Sequence, residues 1–308
     1  MKLPYLVFLS VAIVSVQPVF SQGCSDAGVC TLHSIRNNTA SADEGSPGNE
    51  LALGYSFGKG ERSISYPTWE IEYTRRINAS NQVTARLGYS LIVGELARTS
   101  GLTDLFLSLT HSLPKKGNWQ KSWIAGFKLP FDEADIEENG IHLPMPYQTS
   151  LGSFDFVAGF NLMRNRFGST LAIQQPIRAT NGNQFLPENY SSVPLALRYL
   201  PSNRFTRKGD LLLRFSYQLP VDERLSFRPS LLAIYHLGND SYVDLNKLTR
   251  SIARSSGLTA NANLFLNYHP GKKGEWELSL GTPFVVRTNR PDGLTRSFVG
   301  ALNYRIHF

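Results

Sequence analysis

Apolar and polar residues alternate with a period of two along most of this chain. Trp69, Ile71 and Tyr73 point one way, Glu70 and Glu72 the other. Val83, Ala85, Leu87, Tyr89 and Leu91 share a face opposite Thr84, Arg86 and Ser90. Leu211, Leu213, Phe215 and Tyr217 oppose Arg214, Ser216 and Gln218. Leu264, Leu266 and Tyr268 oppose Asn261, Asn263 and Asn267, and Trp276, Leu278 and Leu280 oppose Glu275, Glu277 and Ser279. Twelve such stretches are read, starting near Leu51, Trp69, Val83, Leu102, Lys121, Leu151, Phe167, Leu211, Leu225, Leu258, Glu275 and Arg296. Turn residues separate them. Each runs for about 8–12 residues, the length a tilted strand needs to cross a bilayer.

A soluble β-sandwich shows the same alternation, but its loops follow no long/short rule. Here alternate links are short, at 78–82, 113–120, 164–166, 220–223 and 270–274. The links between them are generally longer, at 130–148, 176–208 and 237–257, with shorter ones at 58–67, 95–101 and 288–293. That is the pattern of periplasmic turns and extracellular loops in an outer-membrane barrel. The expected fold is all-β: a transmembrane antiparallel up-and-down barrel of about twelve strands over residues 49–308. An even strand number puts both termini in the periplasm. Val193–Leu200 stands apart, as a further strand or a segment folded into the mouth.

The two ends point the same way. Lys2, an apolar Leu6–Val16 run too short to span a bilayer, and Val19-Phe20-Ser21 read as a signal peptide over 1–21. A membrane anchor, or a lipoprotein acylated at Cys24, are the alternatives. Residues 22–48 are polar and read as a flexible periplasmic segment. Cys24 and Cys30, the only cysteines, form a close pair expected to make a disulfide in an exported protein. His33 beside them makes a weaker case for a metal site. At the other end Phe298, Leu302, Tyr304, Ile306 and Phe308 fall on alternate positions, with Phe last. Tyr304, Ile306 and Phe308 resemble the signal by which such proteins reach the barrel-assembly machinery.

If apolar faces meet lipid, the opposite faces meet the lumen. By parity the lumen gains Glu70, Glu72, Arg86, Asp104, Lys128, Asp155, Arg214, Arg228, Glu275, Glu277, Arg305 and His307. Such charges either neutralise one another in a plugged core or line a wet channel; a channel is the favoured reading. The glutamates on the second and eleventh strands are expected to form an acidic wall around the seam, facing a basic wall near Arg214 and Arg228. The net charge of +7 does not indicate nucleic acid, because its lysines and arginines are spread along the chain. Anionic lipid headgroups account for it, so outer-membrane lipids are expected partners.

Gly126-Phe127-Lys128-Leu129-Pro130 precedes an acidic loop. Leu143-Pro144-Met145-Pro146-Tyr147-Gln148-Thr149-Ser150-Leu151-Gly152-Ser153-Phe154-Asp155 follows it. This arrangement resembles the outer-membrane family called the meta-pathway of phenol degradation. The resemblance implies a barrel that admits hydrophobic or aromatic small molecules. In the acidic loop, Asp132, Glu133, Asp135, Glu137 and Glu138 lack the ligand spacing of a calcium loop and read as a solvated extracellular segment. The six histidines, His33, His111, His142, His236, His269 and His307, are scattered outside any catalytic motif. A channel or transporter for small solutes, with no cofactor and no enzymatic activity, is therefore expected. An outer-membrane hydrolase and a structural or adhesive barrel are the alternatives.

Deleting Phe308, or replacing it with a charged residue, should slow insertion and send the protein to periplasmic degradation while export is unchanged. Pulse-chase with membrane fractionation checks this. Normal barrel levels in the variant would remove the C-terminal signal from the argument.

Overall fold

The computed structural model of the chain describes residues 48–271, 273–293 and 296–308. The expected signal peptide, the polar segment and the Cys24/Cys30 pair lie outside them, apart from Gly48, which begins the first strand. The barrel strands are β1 (Gly48–Gly60), β2 (Thr68–Arg76), β3 (Asn81–Val93), β4 (Arg98–Leu102 continued by Leu105–Lys116), β5 (Trp119–Leu129) and β6 (Phe154–Arg164). They continue as β7 (Phe167–Arg178), β8 (Asp210–Tyr217 continued by Leu219–Pro220), β9 (Leu225–His236), β10 (Gly257–Tyr268), β11 (Gly274–Val285) and β12 (Arg296–His307). Each pairs antiparallel with its neighbours in sequence, and β1 pairs with β12. The sheet closes into a twelve-stranded up-and-down barrel.

Closure runs from Glu50↔His307 to Lys59↔Phe298. Phe308 extends it, exchanging backbone hydrogen bonds of 2.9 and 2.7 Å with Asn49. The outward positions are apolar and exposed: Trp69, Ile71, Leu171, Leu213, Phe215, Leu231, Leu302 and Phe308 among them. In water such a band would be strongly unfavourable; against hydrocarbon it costs nothing. Neighbouring outward rings also touch, as Trp276 and Tyr304 do with centroids 4.6 Å apart.

All twelve strands appear where the alternation places them, with two informative differences at their ends. β4 and β5 reach Lys116 and Trp119, so their turn is only Gly117-Asn118 rather than 113–120. Alternation marks where lipid ends, while strand pairing continues into water through Lys115 and Lys116. β6 begins at Phe154 instead of near Leu151. Leu151 is buried with Met145, Phe205 and Ile252, and Gly152 takes φ +66. A Cβ at Gly152 would lie 2.7 Å from the Asn181 side chain, so only glycine fits the turn into β6. Val193–Leu200 is no strand; it holds the short 3-10 turn Ala196–Arg198 within the β7–β8 link.

Leu213→Arg, in the middle of outward-facing β8, should destabilise the barrel by about 2–4 kcal/mol. Leu219→Arg, on the same face at the strand end, should cost about 0–1 kcal/mol. Urea titration of folding into lipid vesicles checks this; equal costs would contradict the depth and face assigned here.

Candidate functional site

Inside the barrel the side chains divide into two arcs. On β4–β9 the inner face is apolar at mid-height: Phe106, Ile124, Val157, Ala172, Leu212 and Leu232 form one buried cluster, with Ile234 against it. Sequence reading missed this arc by treating every inner face as polar. The signal was present where apolar residues run on without alternating, as in Leu105-Phe106-Leu107, Trp123-Ile124 and Leu211-Leu212-Leu213. A strand with unbroken apolar sequence has both faces dry.

The opposite arc, β10–β12 with β1 and β2, is polar. Arg305 on β12 pairs with Glu50 on β1 and lies 3.6 Å from both Glu72 on β2 and Glu275 on β11. Asn267 on β10 donates to Glu275 at 2.5 Å and to Glu277 at 3.1 Å. His307 lies 3.4 Å from Glu50. The seam thus gathers Glu72 and Glu275, as register requires, but around a buried arginine. Arg228 reaches Glu277 at 3.4 Å as well. The expected separation into an acidic and a basic wall is therefore corrected: carboxylates this deeply buried hold their charge only beside cations, and the register places Arg305 and Arg228 among them. Glu70 lies on β2, half-buried, one inward position along from Glu72.

Where the two arcs meet, a guanidinium lies over a phenyl ring at each border. Arg86 on β3 sits 5.6 Å from the Phe106 ring centroid. On the other side Arg228 sits 4.5 Å and Arg214 6.0 Å from the Phe265 centroid. Both contacts join a cation to a π-face at the edge of apolar surface.

Above this interior, at the end with the long links, the loops fold inward as a lid. Its centre is the stretch singled out in the sequence. Met145–Tyr147 forms a 3-10 turn, and Leu143, Met145 and Tyr147 are fully buried. Tyr147 accepts from Leu96 N at 3.1 Å, touches Tyr199 Oη at 3.1 Å, and receives Thr99 Oγ1 on its carbonyl at 2.7 Å. Tyr66 donates to Pro146 O at 3.1 Å. The Gln148 amide donates to Leu143 O at 2.8 Å and accepts from Ile136 N at 2.9 Å. Asn183, from the β7–β8 link, donates to Ala134 O at 2.7 Å and Leu143 O at 2.9 Å. Ile252 packs on Met145 and Leu151. Gly293, at φ +71, comes so close that a Cβ would lie 2.7 Å from Met145 C. The β5–β6 link therefore touches every other link at this end.

Beneath the lid runs a buried chain of alternating charges. Lys128 lies 2.8 Å from Asp104 and 3.5 Å from Asp155. Asp155 lies 3.6 Å from Arg207, which pairs with Asp210. His236 bridges Asp210 at 2.6 Å and Asp240 at 2.8 Å, and Asp240 lies 3.7 Å from Arg287, which pairs with Asp292. Of these, Asp104, Lys128 and Asp155 were expected from parity. Of the others, Arg207, Asp240, Arg287 and Asp292 lie outside the strands, where no alternation marks direction, and Asp210 and His236 are the first residue of β8 and the last of β9, at the margin of the alternating stretches. Burial works against the Arg207 cation, yet Asp210, Asp155, Asp292 and Asp240 hold its pKa above the usual arginine value. Burial by itself lifts the Asp292 carboxyl; Arg287 and Arg207 prevail and hold it below the usual carboxylate range.

His236, scattered in sequence, thus sits between two carboxylates. A ring facing two carboxylate acceptors satisfies both only when each nitrogen carries a proton, which leaves no free nitrogen to act as a base. The acidic loop is solvated in part: Glu133, Asp135 and Glu137 are exposed. Asp132 accepts from Ala134 N and Thr149 Oγ1, Glu133 pairs with Arg178 at 2.9 Å, Glu137 lies 3.6 Å from His142 of the same link, and Glu138 accepts from Arg98 N. Glu133 and Glu138 thus tie the loop to β7 and β4 while its other face stays in water. Among the described residues no three His, Cys, Asp or Glu side chains converge as metal ligands.

The barrel shares its fold with an outer membrane channel from Pseudomonas putida F1, at a TM-score of 0.60 and 13% identity over 89% of this chain and 99% of that one. Weaker likenesses are the translocator domain of the autotransporter NalP from Neisseria meningitidis (TM-score 0.46, 10% identity, 86% of this chain and 90% of that one). The CymD monoaromatic hydrocarbon channel is another (0.41, 10%, 85% and 88%). At these identities the likeness is one of fold. No family model and no curated protein matches the chain.

Arg207→Met should destabilise the lid end by about 3–5 kcal/mol, because it leaves Asp155 and Asp210 buried without their shared cation. Guanidinium unfolding in detergent reads this. Asp292, whose pKa is depressed by folding, stabilises the lid fully above the ordinary carboxylate value. That stabilisation is lost as pH falls through its folded value. Protease nicking within 237–256 should therefore accelerate on acidification; a rate independent of pH would contradict the role given to Asp292.

Proposed function

We propose that the chain is an outer-membrane channel of a Gram-negative bacterium, moving small solutes with a hydrophobic or aromatic body and a polar end. The observation that carries this reading is the divided interior. An apolar arc on β4–β9 faces a polar arc on β10–β2, and arginines stand at both borders. A solute of mixed character finds both surfaces within one barrel. Its ring lies on the Phe106 side, and its polar end meets Arg86 or Arg228. Purely apolar solutes would leave the ion pairs unsolvated, and simple ions would gain nothing from the apolar arc. Glu70, Glu72, Asp104, Lys128, Asp155, Arg214, Glu275, Glu277 and Arg305 complete the lining in this reading.

The resemblance to the meta-pathway of phenol degradation family supports the same solute class. In this reading the long links face outward, both termini lie in the periplasm, residues 1–21 direct export, and Cys24 and Cys30 are joined by a disulfide. The C-terminal strand hands the chain to the assembly machinery. The lid makes the resting channel closed, and passage requires that the β5–β6 link swing away from its neighbours. The divided interior serves as a selectivity surface instead of a reaction site, consistent with the fully engaged His236 ring.

Purified protein in planar bilayers should show low, intermittent conductance. Asn183→Ala, which releases four side-chain hydrogen bonds of the lid, with Ala134 O, Leu143 O, Phe185 N and Ser202 Oγ, should raise open probability several-fold. Neutralising Glu70 and Glu72 together to Gln should shift the reversal potential toward anion preference. Liposome swelling with small aromatic acids checks solute passage. If neither the native chain nor Asn183→Ala passes current or solute, the conduit reading fails.

A further inference from the structure

On the outside of the barrel, at the end with the short turns, a groove of about 570 Å³ crosses β5–β8. Trp119, Leu162, Arg164, Phe167, Ser169 and Tyr217 line it. Strand register explains why it exists. Lys121, Leu162, Ser169 and Phe215 lie side by side on four successive strands. Trp119, Arg164, Phe167 and Tyr217 form the next row toward the turns. Trp123, Phe160, Leu171 and Leu213 form the next row toward mid-membrane. Ser169 is the one small side chain in these three outward rows, so the belt has a notch at its position. Phe167, stacked on Phe215 with centroids 6.0 Å apart, makes one wall. Trp119, with the Arg164 guanidinium 5.0 Å from its ring centroid, makes the other.

The notch opens toward mid-membrane onto Phe160 and Leu171, both exposed to the membrane. Beside it stand three exposed cations: Lys121 level with Ser169, and Arg164 and Arg166 toward the turn. Among the described residues none of the three is ion-paired with a carboxylate. A largely apolar slot thus ends at a cluster of positive charge at the membrane border. A guanidinium meets a phosphate oxygen pair through two parallel hydrogen bonds, and a neighbouring ammonium adds a point charge. Trp119 and Tyr217 have the amphipathic character of the interfacial aromatic belt.

We propose that this groove is a binding site for an anionic glycerophospholipid. One acyl chain lies over Leu162 and Ser169 toward Leu171, and the headgroup phosphate is held by Arg164 and Arg166 with Lys121 beside it. The proposal rests on the reading of the short turns as periplasmic, because that leaflet supplies phospholipid. Basic residues near an anionic lipid surface are attracted over a Debye length. The slot adds what a general electrostatic attraction lacks, a fixed place for one chain.

The full chain holds four tryptophans. In a Trp69→Phe/Trp276→Phe background only Trp119, which lines the groove, and Trp123, two rows further toward mid-membrane on β5, report. The purified barrel is placed in vesicles containing phosphatidylglycerol or phosphatidylcholine with brominated acyl chains, which quench indole fluorescence on contact. Brominated phosphatidylglycerol should reach half-maximal quenching at a mole fraction at least fivefold below that of phosphatidylcholine. Arg164→Gln/Arg166→Gln should abolish this preference, and Ser169→Phe should reduce quenching by both lipids. The double variant changes two exposed positions, the last residue of β6 and one in the following turn, so it preserves the test if Ser169→Phe does not fold. Equal quenching by the two lipids, or a preference unchanged in the double variant, would overturn the proposal. Stronger competition by lipid A than by phosphatidylglycerol would overturn it too, by naming the other leaflet's lipid as occupant. Solute flux should be the same in the double variant as in the native chain, so a failed lipid site and a failed channel are read separately. Accessibility on intact cells of a tag at 270–274 reports orientation independently of both.

Discussion

In hydrocarbon a strand's N–H and C=O groups have no water to turn to, and every one must be satisfied by another strand. The β1–β12 ladder answers this requirement, joining the two ends of the chain along eleven residue pairs. Phe308 carries the seam one step further, to Asn49. Once the ring is closed, the direction of every side chain is settled by parity. Half of them face lipid and must be apolar. The other half face an interior that has to be filled, and what fills it is the chemistry available to the protein.

That interior is organised by the cost of burying charge. An ion taken out of water needs a partner at contact distance, and the pair needs further hydrogen bonds. The structure meets this at both ends in different ways. At the seam one arginine, Arg305, serves three carboxylates from three strands. Under the lid, acid and base alternate from Asp104 to Asp292, crossing from strand to loop and back. Between these networks the apolar arc needs no partner at all, and it shares only β9, through Arg228, with the seam network. The Arg86–Phe106 and Arg228–Phe265 contacts mark the transition.

The strands were legible because lipid imposes a strict rule on every second residue, and a local rule leaves a local trace. Trp69 and Leu213 report their own direction with no knowledge of the rest of the chain. The interior obeys a looser rule, since an inner residue may be a charge, an amide or a leucine according to what faces it across the barrel. Phe265 reads as an interruption in an asparagine row until Arg228 is seen to lie over it. The lid was least legible. Tyr147, Asn183 and Gly293 are far apart in sequence, and what they do together depends on contacts that no period describes. The stretch from Leu143 to Asp155 stood out in the sequence only through its resemblance to an outer-membrane family, and it forms the centre of the lid.

That centre is built from the middle of the chain, yet it is completed by its far end. Tyr66 and Leu96 precede it, Asn183 and Ile252 follow, and Gly293 arrives with the β11–β12 hairpin, next to the strand that closes the ring. The last hairpin therefore carries two tasks in one short piece of chain: Gly293 and Asp292 finish the lid, and β12 closes the ring. Shutting the mouth and sealing the wall depend on the same segment.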